Sequence, residues 1–243
     1  MQGLILAAGA SRRLYPLTEK TPKCLLDIGG LPILSHQLNA LKKYNINEVI
    51  IVLGYYKEMI IDYINKNHFE MKFTFITNNH YLDTNTSYSA YLCKDFLSSS
   101  DTLLMNGDVL YPPILLKQII DSNYETVLAV DIKRCGDEEV KVITNDKKRI
   151  ISIGKELDIE NSLGEFIGVA KLSTPFCNSF ASSLSKLIDD GGQSDYFESA
   201  IEPMLIKHDV FFEDISHLPC IEIDFKEDLQ KANELVNNKL YNI

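Results

Sequence analysis

Residues 3–8, Gly-Leu-Ile-Leu-Ala-Ala, form an unbroken apolar run that leads directly into Gly9-Ala10-Ser11-Arg12-Arg13. An apolar stretch without alternation suits a strand covered on both faces, and such strands belong to parallel sheets with helices packed on either side. The chain that follows keeps to this pattern. Ile33, Leu34, Leu38 and Leu41 fall at helical spacing within residues 32–44, and β-branched residues return at 48–53. A helix at 57–65, a strand at 72–77, a helix at 86–97 and a strand at 101–106 ending in Gly107-Asp108 extend the series. The spacing predicts an α/β fold with a Rossmann-like, mixed but mainly parallel central sheet flanked by helices. Beyond residue 125 the strands become shorter, at 126–132, 139–144, 149–154 and 165–172, which predicts a small antiparallel portion. Helices are expected at 175–187, 196–206 and 226–238. No linker or repeat interrupts the chain, so a single domain over 1–243 is expected, with parts at about 1–125 and 126–225 and a C-terminal helix at about 226–240.

Composition narrows the classes of function. The chain has 243 residues, 45% of them hydrophobic, enough for a full core. A formal charge of −10 repels polyanions, so nucleic acid is not an expected partner. No apolar run approaches the roughly 20 residues that cross a bilayer, so no membrane span is expected. The N-terminus shows no basic region or cleavage site, which makes cytoplasm the expected location. The five cysteines lie far apart without a CxxC pair and read as buried small hydrophobes. Oligomeric state is not legible in the sequence, and a homo-oligomer remains compatible with it.

The segment after the first strand carries the chemistry. Small residues there let backbone N–H groups approach a ligand at the carboxyl end of the sheet, where they form an anion nest. Phosphate is the natural guest, with Arg13 as a planar fork and Lys23 as a point charge. The loop lacks both GxxxxGK[ST] and the GxGxxG spacing, so it is neither a P-loop nor a dinucleotide turn. Taken alone, Asp108 and Asp224 read as turn or cap residues, and Asn85 as a turn residue. None of the histidines sits at metal or triad spacing, and there is no GxSxG.

Leu6-Ala7-Ala8-Gly9-Ala10-Ser11-Arg12-Arg13-Leu14-Tyr15-Pro16-Leu17-Thr18, followed by Pro22-Lys23, resembles the LxAGxGxRLxPLTxxxPKxL signature of nucleotidyltransferases that make sugar nucleotides and related compounds. Ser11 stands where the second glycine usually falls. The resemblance implies a nucleotide-diphospho-sugar transferase-like fold and Mg2+ held by Asp108, after Asn106-Gly107, and by Asp224. It gives catalytic roles to Arg13, Lys23, Asp108 and Asp224. Nucleotide contacts fall to Leu6, Ala7, Ala8, Gly9, Ala10, Ser11, Arg13, Lys23 and Gly107. The segment with Asn79, Thr84, Asn85 and Ser87 resembles the base-contacting segment of bacterial phosphocholine cytidylyltransferase-like enzymes. That group includes cytidylyltransferases for aminoethylphosphonate, inositol phosphate and phosphoglutamine.

The reaction implied joins CMP from CTP to a small phosphorylated or phosphonate acceptor, with release of pyrophosphate, for surface glycan or lipid decoration. An amino-bearing head group is expected, with Lys141 on the acceptor phosphate and Glu165, Tyr111, Tyr196 and Glu198 around the head group. A choline cage favours tryptophan, of which the chain has none. Two alternatives remain at this level: a sugar-1-phosphate uridylyl- or thymidylyltransferase, and a non-catalytic nucleotide-binding regulatory domain.

Overall fold

The computed structural model describes residues 1–67, 70–237 and 241. Its elements begin with β1 (Gln2–Ala7), β2 (Asp27–Ile28), β3 (Leu31–Pro32), α1 (Ile33–Lys43), β4 (Glu48–Leu53), α2 (Lys57–Asn67) and β5 (Lys72–Thr77). They continue with α3 (Thr86–Tyr91), α4 (Lys94–Leu97), β6 (Thr102–Asn106), β7 (Val109–Leu110), α5 (Ile114–Asp121), β8 (Val127–Asp131), β9 (Lys141–Thr144), β10 (Ile150–Gly154) and β11 (Gly164–Leu172). The chain closes with α6 (Thr174–Asp189), α7 (Glu198–Ile201), β12 (Phe211–Asp214), β13 (Ile221–Glu222) and α8 (Lys226–Val236). The architecture is the expected one: a mixed, mainly parallel sheet system flanked by helices, with small antiparallel pairs.

Two compact units share the chain. The first comprises Met1–Asp83, Met105–Lys117 and Leu218–Ile243, and the second Thr84–Leu104 and Gln118–His217. They are interleaved in sequence, so no single boundary near residue 125 separates them.

In the first unit β1 runs parallel to β4, with Leu4 opposite Ile50 and Leu6 opposite Val52, and β4 runs parallel to β5. Leu4, Ile5, Ile51, Val52 and Leu53 are fully buried, as the unalternating apolar pattern requires. A second core joins Leu14, Ile28, Ile33, Leu110, Ile223 and Ala232. This cluster seats the loop after β1 and the segment that follows β13.

In the second unit β8, β9, β10 and β11 pair antiparallel. One strand that the periodicity does not predict, β12, adds to β8 in parallel. The helix expected at 86–97 is two helices, because fully buried Cys93 takes φ −95° and ψ 0° and interrupts the ladder. The helix expected at 196–206 stays α-helical only over α7 and tightens to a 3-10 turn at Glu202–Ile206, where Pro203 has no N–H to give. Residues 238–240, the end of the expected C-terminal helix, lie outside the described residues. Among the described residues no helix is long and apolar enough to cross a membrane.

Candidate active site

The loop after β1 is tied at both ends by one residue. Tyr55 N–H donates to the Ala8 carbonyl at 3.0 Å. The Tyr55 hydroxyl donates to the Glu19 carbonyl at 2.6 Å. Within the loop Ser11 adopts φ 48° and ψ 51°, the left-handed region that glycine enters without strain. The preference for a glycine at this point of the signature is therefore conformational. Ser11 is held there by its carbonyl, which accepts from buried Thr18 Oγ1 at 2.7 Å. Leu6 and Ala8 are buried and Ala7 half-buried, while Gly9, Ala10 and Ser11 are open to a ligand to differing degrees.

Lys23 lies at the start of a 3-10 turn, Lys23–Leu25, and is buried. Its Nζ donates to Asp224 Oδ1 at 2.7 Å and to Asp108 Oδ2 at 3.0 Å. Burial works to lower its pKa, but the two carboxylates outweigh that cost and raise it above the ordinary lysine value. The ammonium is thus fixed in the charged state. Cys24 beside it is buried, which pushes its thiol up to about 12 and leaves it inert as a nucleophile.

Asp108 and Asp224 come together through a short ladder. Strands β7 and β13 pair antiparallel, and Ile223 N–H donates to the Asp108 carbonyl at 3.1 Å. From α1, buried Gln37 braces the same turn by donating Nε2 to the carbonyls of Asn106 and Val109 at 2.8 and 3.0 Å. Gly107 is required at its position: a Cβ there would lie 2.8 Å from the Leu6 carbonyl oxygen and 2.9 Å from Ala7 Cβ. Asp224 does not cap α8. That task falls to Asp228, whose Oδ2 accepts from Phe225 N–H at 2.9 Å, leaving the Asp224 carboxylate to face Lys23. Arg13 is half-exposed, with Nη1 3.5 Å from Asp224 Oδ2 and its guanidinium 5.7 Å from the Phe225 ring centre.

A third carboxylate belongs with this pair. One oxygen each from Asp108, Glu222 and Asp224 lie within 4.8 Å of one another. Asp108 Oδ1 is buried and lacks a hydrogen-bond partner among the described residues. Three hard oxygen donors and an orphaned carboxylate oxygen fit a divalent cation. Glu222 is absent from the sequence-derived ligand set, yet the alternation Glu222-Ile223-Asp224 signals it. Ile223 is buried, so its two neighbours share the opposite side of the segment.

The other expected site residues fall as follows. Asn79 is exposed in the first unit. In the second unit Thr84 is half-buried. Asn85 Oδ1 accepts from Thr86 N–H at 2.8 Å, and Ser87 Oγ donates to the Gly192 carbonyl at 2.7 Å. Tyr111, in the first unit, is buried with its hydroxyl 3.0 Å from Met105 Sδ. Lys141 is buried in the second unit and donates to the carbonyls of Gly136 and Glu139 at 3.0 and 3.2 Å. Glu165 pairs with Lys133 at 2.6 Å; burial nonetheless raises its pKa. Tyr196 is 37% exposed with Lys155 Nζ 4.3 Å from its ring centre. Glu198 is buried, which pushes its carboxyl up to about 7.

A small-residue loop at the end of a parallel strand, a charged lysine and three converging carboxylates in an α/β protein are groups of the kind that could hold a phosphate anion and a hard cation. The chain belongs to the family described as Nucleotidyl transferase, whose pattern matches residues 2–148. It is 30% identical over 241 residues to the choline-phosphate cytidylyltransferase of Streptococcus pneumoniae strain ATCC BAA-255 / R6, across 98% of this chain and 100% of that one. It is 28% identical over 254 residues to the CTP:phosphoglutamine cytidylyltransferase of Campylobacter jejuni serotype O:2, across 95% and 98%. The solved structure of the CTP:phosphocholine cytidylyltransferase of Streptococcus pneumoniae (LicC) superposes with a TM-score of 0.79 at 25% identity, covering 97% of this chain and 99% of that one.

Proposed function

We propose that the protein is a Mg2+-dependent cytidylyltransferase that joins CMP from CTP to a small acceptor phosphate or phosphonate bearing an amino head group and releases pyrophosphate. The observation that carries this reading is the clustering of Lys23, Asp108, Glu222 and Asp224 beside Arg13 of the loop after β1. Full-length similarity to two cytidylyltransferases supports CTP over other nucleotides. Their acceptors, phosphocholine and phosphoglutamine, motivate the head-group class. Cytoplasm, where CTP is available, is the proposed location, and the product would serve surface glycan or lipid decoration.

In the proposed reaction an oxygen of the acceptor phosphate forms a bond to the α-phosphorus of CTP while the bond to the pyrophosphate oxygen breaks. A phosphomonoester has a second pKa near 6, so its oxygen is already deprotonated at neutral pH and no protein nucleophile or strong base is required. What must be supplied is alignment and charge neutralisation between two anions. Backbone N–H groups of the Ala8–Ser11 turn and the cations of Arg13 and Lys23 would bind and orient the triphosphate. Asp108, Asp224 and Glu222 would hold Mg2+, which when bound neutralises phosphate charge. Asn79, exposed in the same unit, offers donor and acceptor together for cytosine.

The test is pyrophosphate release from each nucleoside triphosphate with a panel of phosphorylated amines and sugars, with and without Mg2+. CTP with an amine-bearing acceptor should be preferred, and Asp108→Asn should lower turnover at least about a hundredfold with the fold unchanged by circular dichroism. Preference for UTP or dTTP with a sugar 1-phosphate, or near-normal turnover in Asp108→Asn, would reject the reading.

A further inference from the structure

An ammonium taken out of water needs acceptors wherever it goes. Lys23 has only 8% of its side chain exposed, and its Nζ lies between two carboxylates, 2.7 Å from Asp224 Oδ1 and 3.0 Å from Asp108 Oδ2. These are two of the three carboxylates whose oxygens gather within 4.8 Å of one another, the donor set that fits a hard cation. The chain therefore supplies this cluster with a cation of its own. Arg13 contributes less, because its guanidinium is half-exposed and stands 3.5 Å from Asp224 Oδ2.

Two cations compete for the same oxygens. Lys23 cancels one of the three negative charges that a divalent ion would meet, and its own charge repels such an ion at close range. The ammonium has few places to go. The Lys23 carbonyl accepts from Leu26 N–H at 2.9 Å, so the backbone is fixed by its turn and the four-carbon stem is the part that can swing. Away from Asp108 and Asp224, a buried ammonium requires new oxygen acceptors, and a triphosphate bound at Arg13 of the loop after β1 would bring them.

Building on the nucleotidyl-transfer reading, we propose that Lys23 is an internal counter-ion: it closes the carboxylate cluster to a free divalent cation and yields only when a nucleoside triphosphate gives it other partners. Metal and nucleotide affinities are then coupled through this one side chain, each raising the other by the same factor.

The test is calorimetric titration of Mn2+ alone into the full chain, without nucleotide, for the wild type, Lys23→Met, Lys23→Arg and Lys23→Met combined with Asp108→Asn. Lys23→Met should bind Mn2+ at least about tenfold more tightly than the wild type, because a like charge has left close range. Lys23→Arg keeps the charge and should bind as weakly as the wild type. The combined variant should lose the gain, which puts the ion at the carboxylates. Equal or weaker binding in Lys23→Met, a gain shared by Lys23→Arg, or a gain that survives Asp108→Asn would each overturn the proposal. The wild type decides independently if Lys23→Met does not fold. Mn2+ alone should leave its melting temperature nearly unchanged, and CTP with Mn2+ should raise it by more than the two separate shifts together. A large rise with Mn2+ alone, or merely additive shifts, would reject the coupling. No nucleotide enters the titrations, so turnover with UTP instead of CTP would reject the proposed function while leaving Lys23 in this role. Turnover with CTP and equal Mn2+ binding by wild type and Lys23→Met would do the opposite.

Discussion

Individual side chains in this protein reach unusual protonation states by different routes. Lys23 is buried, yet two carboxylates hold it charged, so its charge does not depend on pH near neutrality. Glu198 is buried without an ion pair of that quality, and burial dominates over its own backbone N–H and Lys155, so its carboxyl rises from the ordinary 4.5 to about 7. The stability consequence has a definite sign. A group whose pKa is raised in the folded state contributes fully below the unfolded value, and that contribution drains away as pH climbs through the folded value. Between about pH 4.5 and pH 7 the unfolded chain gives up a proton that the folded chain retains. Glu198→Gln removes this titration, so its stability relative to wild type should improve by about 3 kcal/mol from pH 4 to pH 8. Denaturant unfolding of both proteins at the two pH values measures it, and a constant difference would show that Glu198 ionises normally in place.

At the scale of elements, the loop after β1 depends on the turn between β4 and α2. Gly54 sits where a Cβ would lie 2.6 Å from the Ala8 carbonyl oxygen and 2.8 Å from Tyr81 Cβ, and the next residue, Tyr55, ties both ends of the loop. Gly54→Ala should therefore push the loop from its anchor, costing about 1–3 kcal/mol and raising the nucleotide KM more than it lowers kcat. Urea unfolding and steady-state kinetics test both halves; an unchanged KM would mean that the anchor is not transmitted to the nucleotide. The sequence speaks plainly about this region in one respect and not in another. Strands β1, β4 and β5 are legible because each is a six-residue run rich in apolar or β-branched residues. Lys23, Asp108 and Asp224 are legible as a group only through the family resemblance, of which the signature itself covers Lys23 alone. Strands β7 and β13, which bring the two aspartates together, have two residues each, too few for any periodicity to register. The roles of Gln37 and Tyr55 are invisible for a related reason: both act by donating to backbone carbonyls of residues far away in sequence, and a carbonyl leaves no mark in the amino-acid order.

At the scale of the molecule, the first unit is assembled from three separated stretches of chain, and its candidate active site takes one charged group from each: Lys23, Asp108 and Asp224. The last stretch supplies core as well as chemistry. Ile223 and Ala232 are fully buried, and Tyr241 nearly so, against Leu14, Ile28, Ile33 and Leu110, with Ile221, Leu229 and Val236 packed alongside. Gly29 N–H also donates to Asn233 Oδ1 at 2.9 Å, fastening the β2–β3 turn to α8. Burying a large apolar side chain contributes about 1.5–3 kcal/mol, so several of them approach the whole stability of an ordinary domain, about 5–15 kcal/mol. A chain ending at His217 should thus lose the first unit's cooperative unfolding, and with it nucleotide binding, while the second unit, complete in sequence by that point, keeps native-like hydrogen-exchange protection. Asp224→Ala in the full chain separates chemistry from core: it should abolish turnover and leave protection in β1 and β4 intact. Hydrogen exchange read by mass spectrometry on the three proteins decides the matter, and retained protection of β1 and β4 in the shortened chain would show that the first unit needs no closing segment to fold.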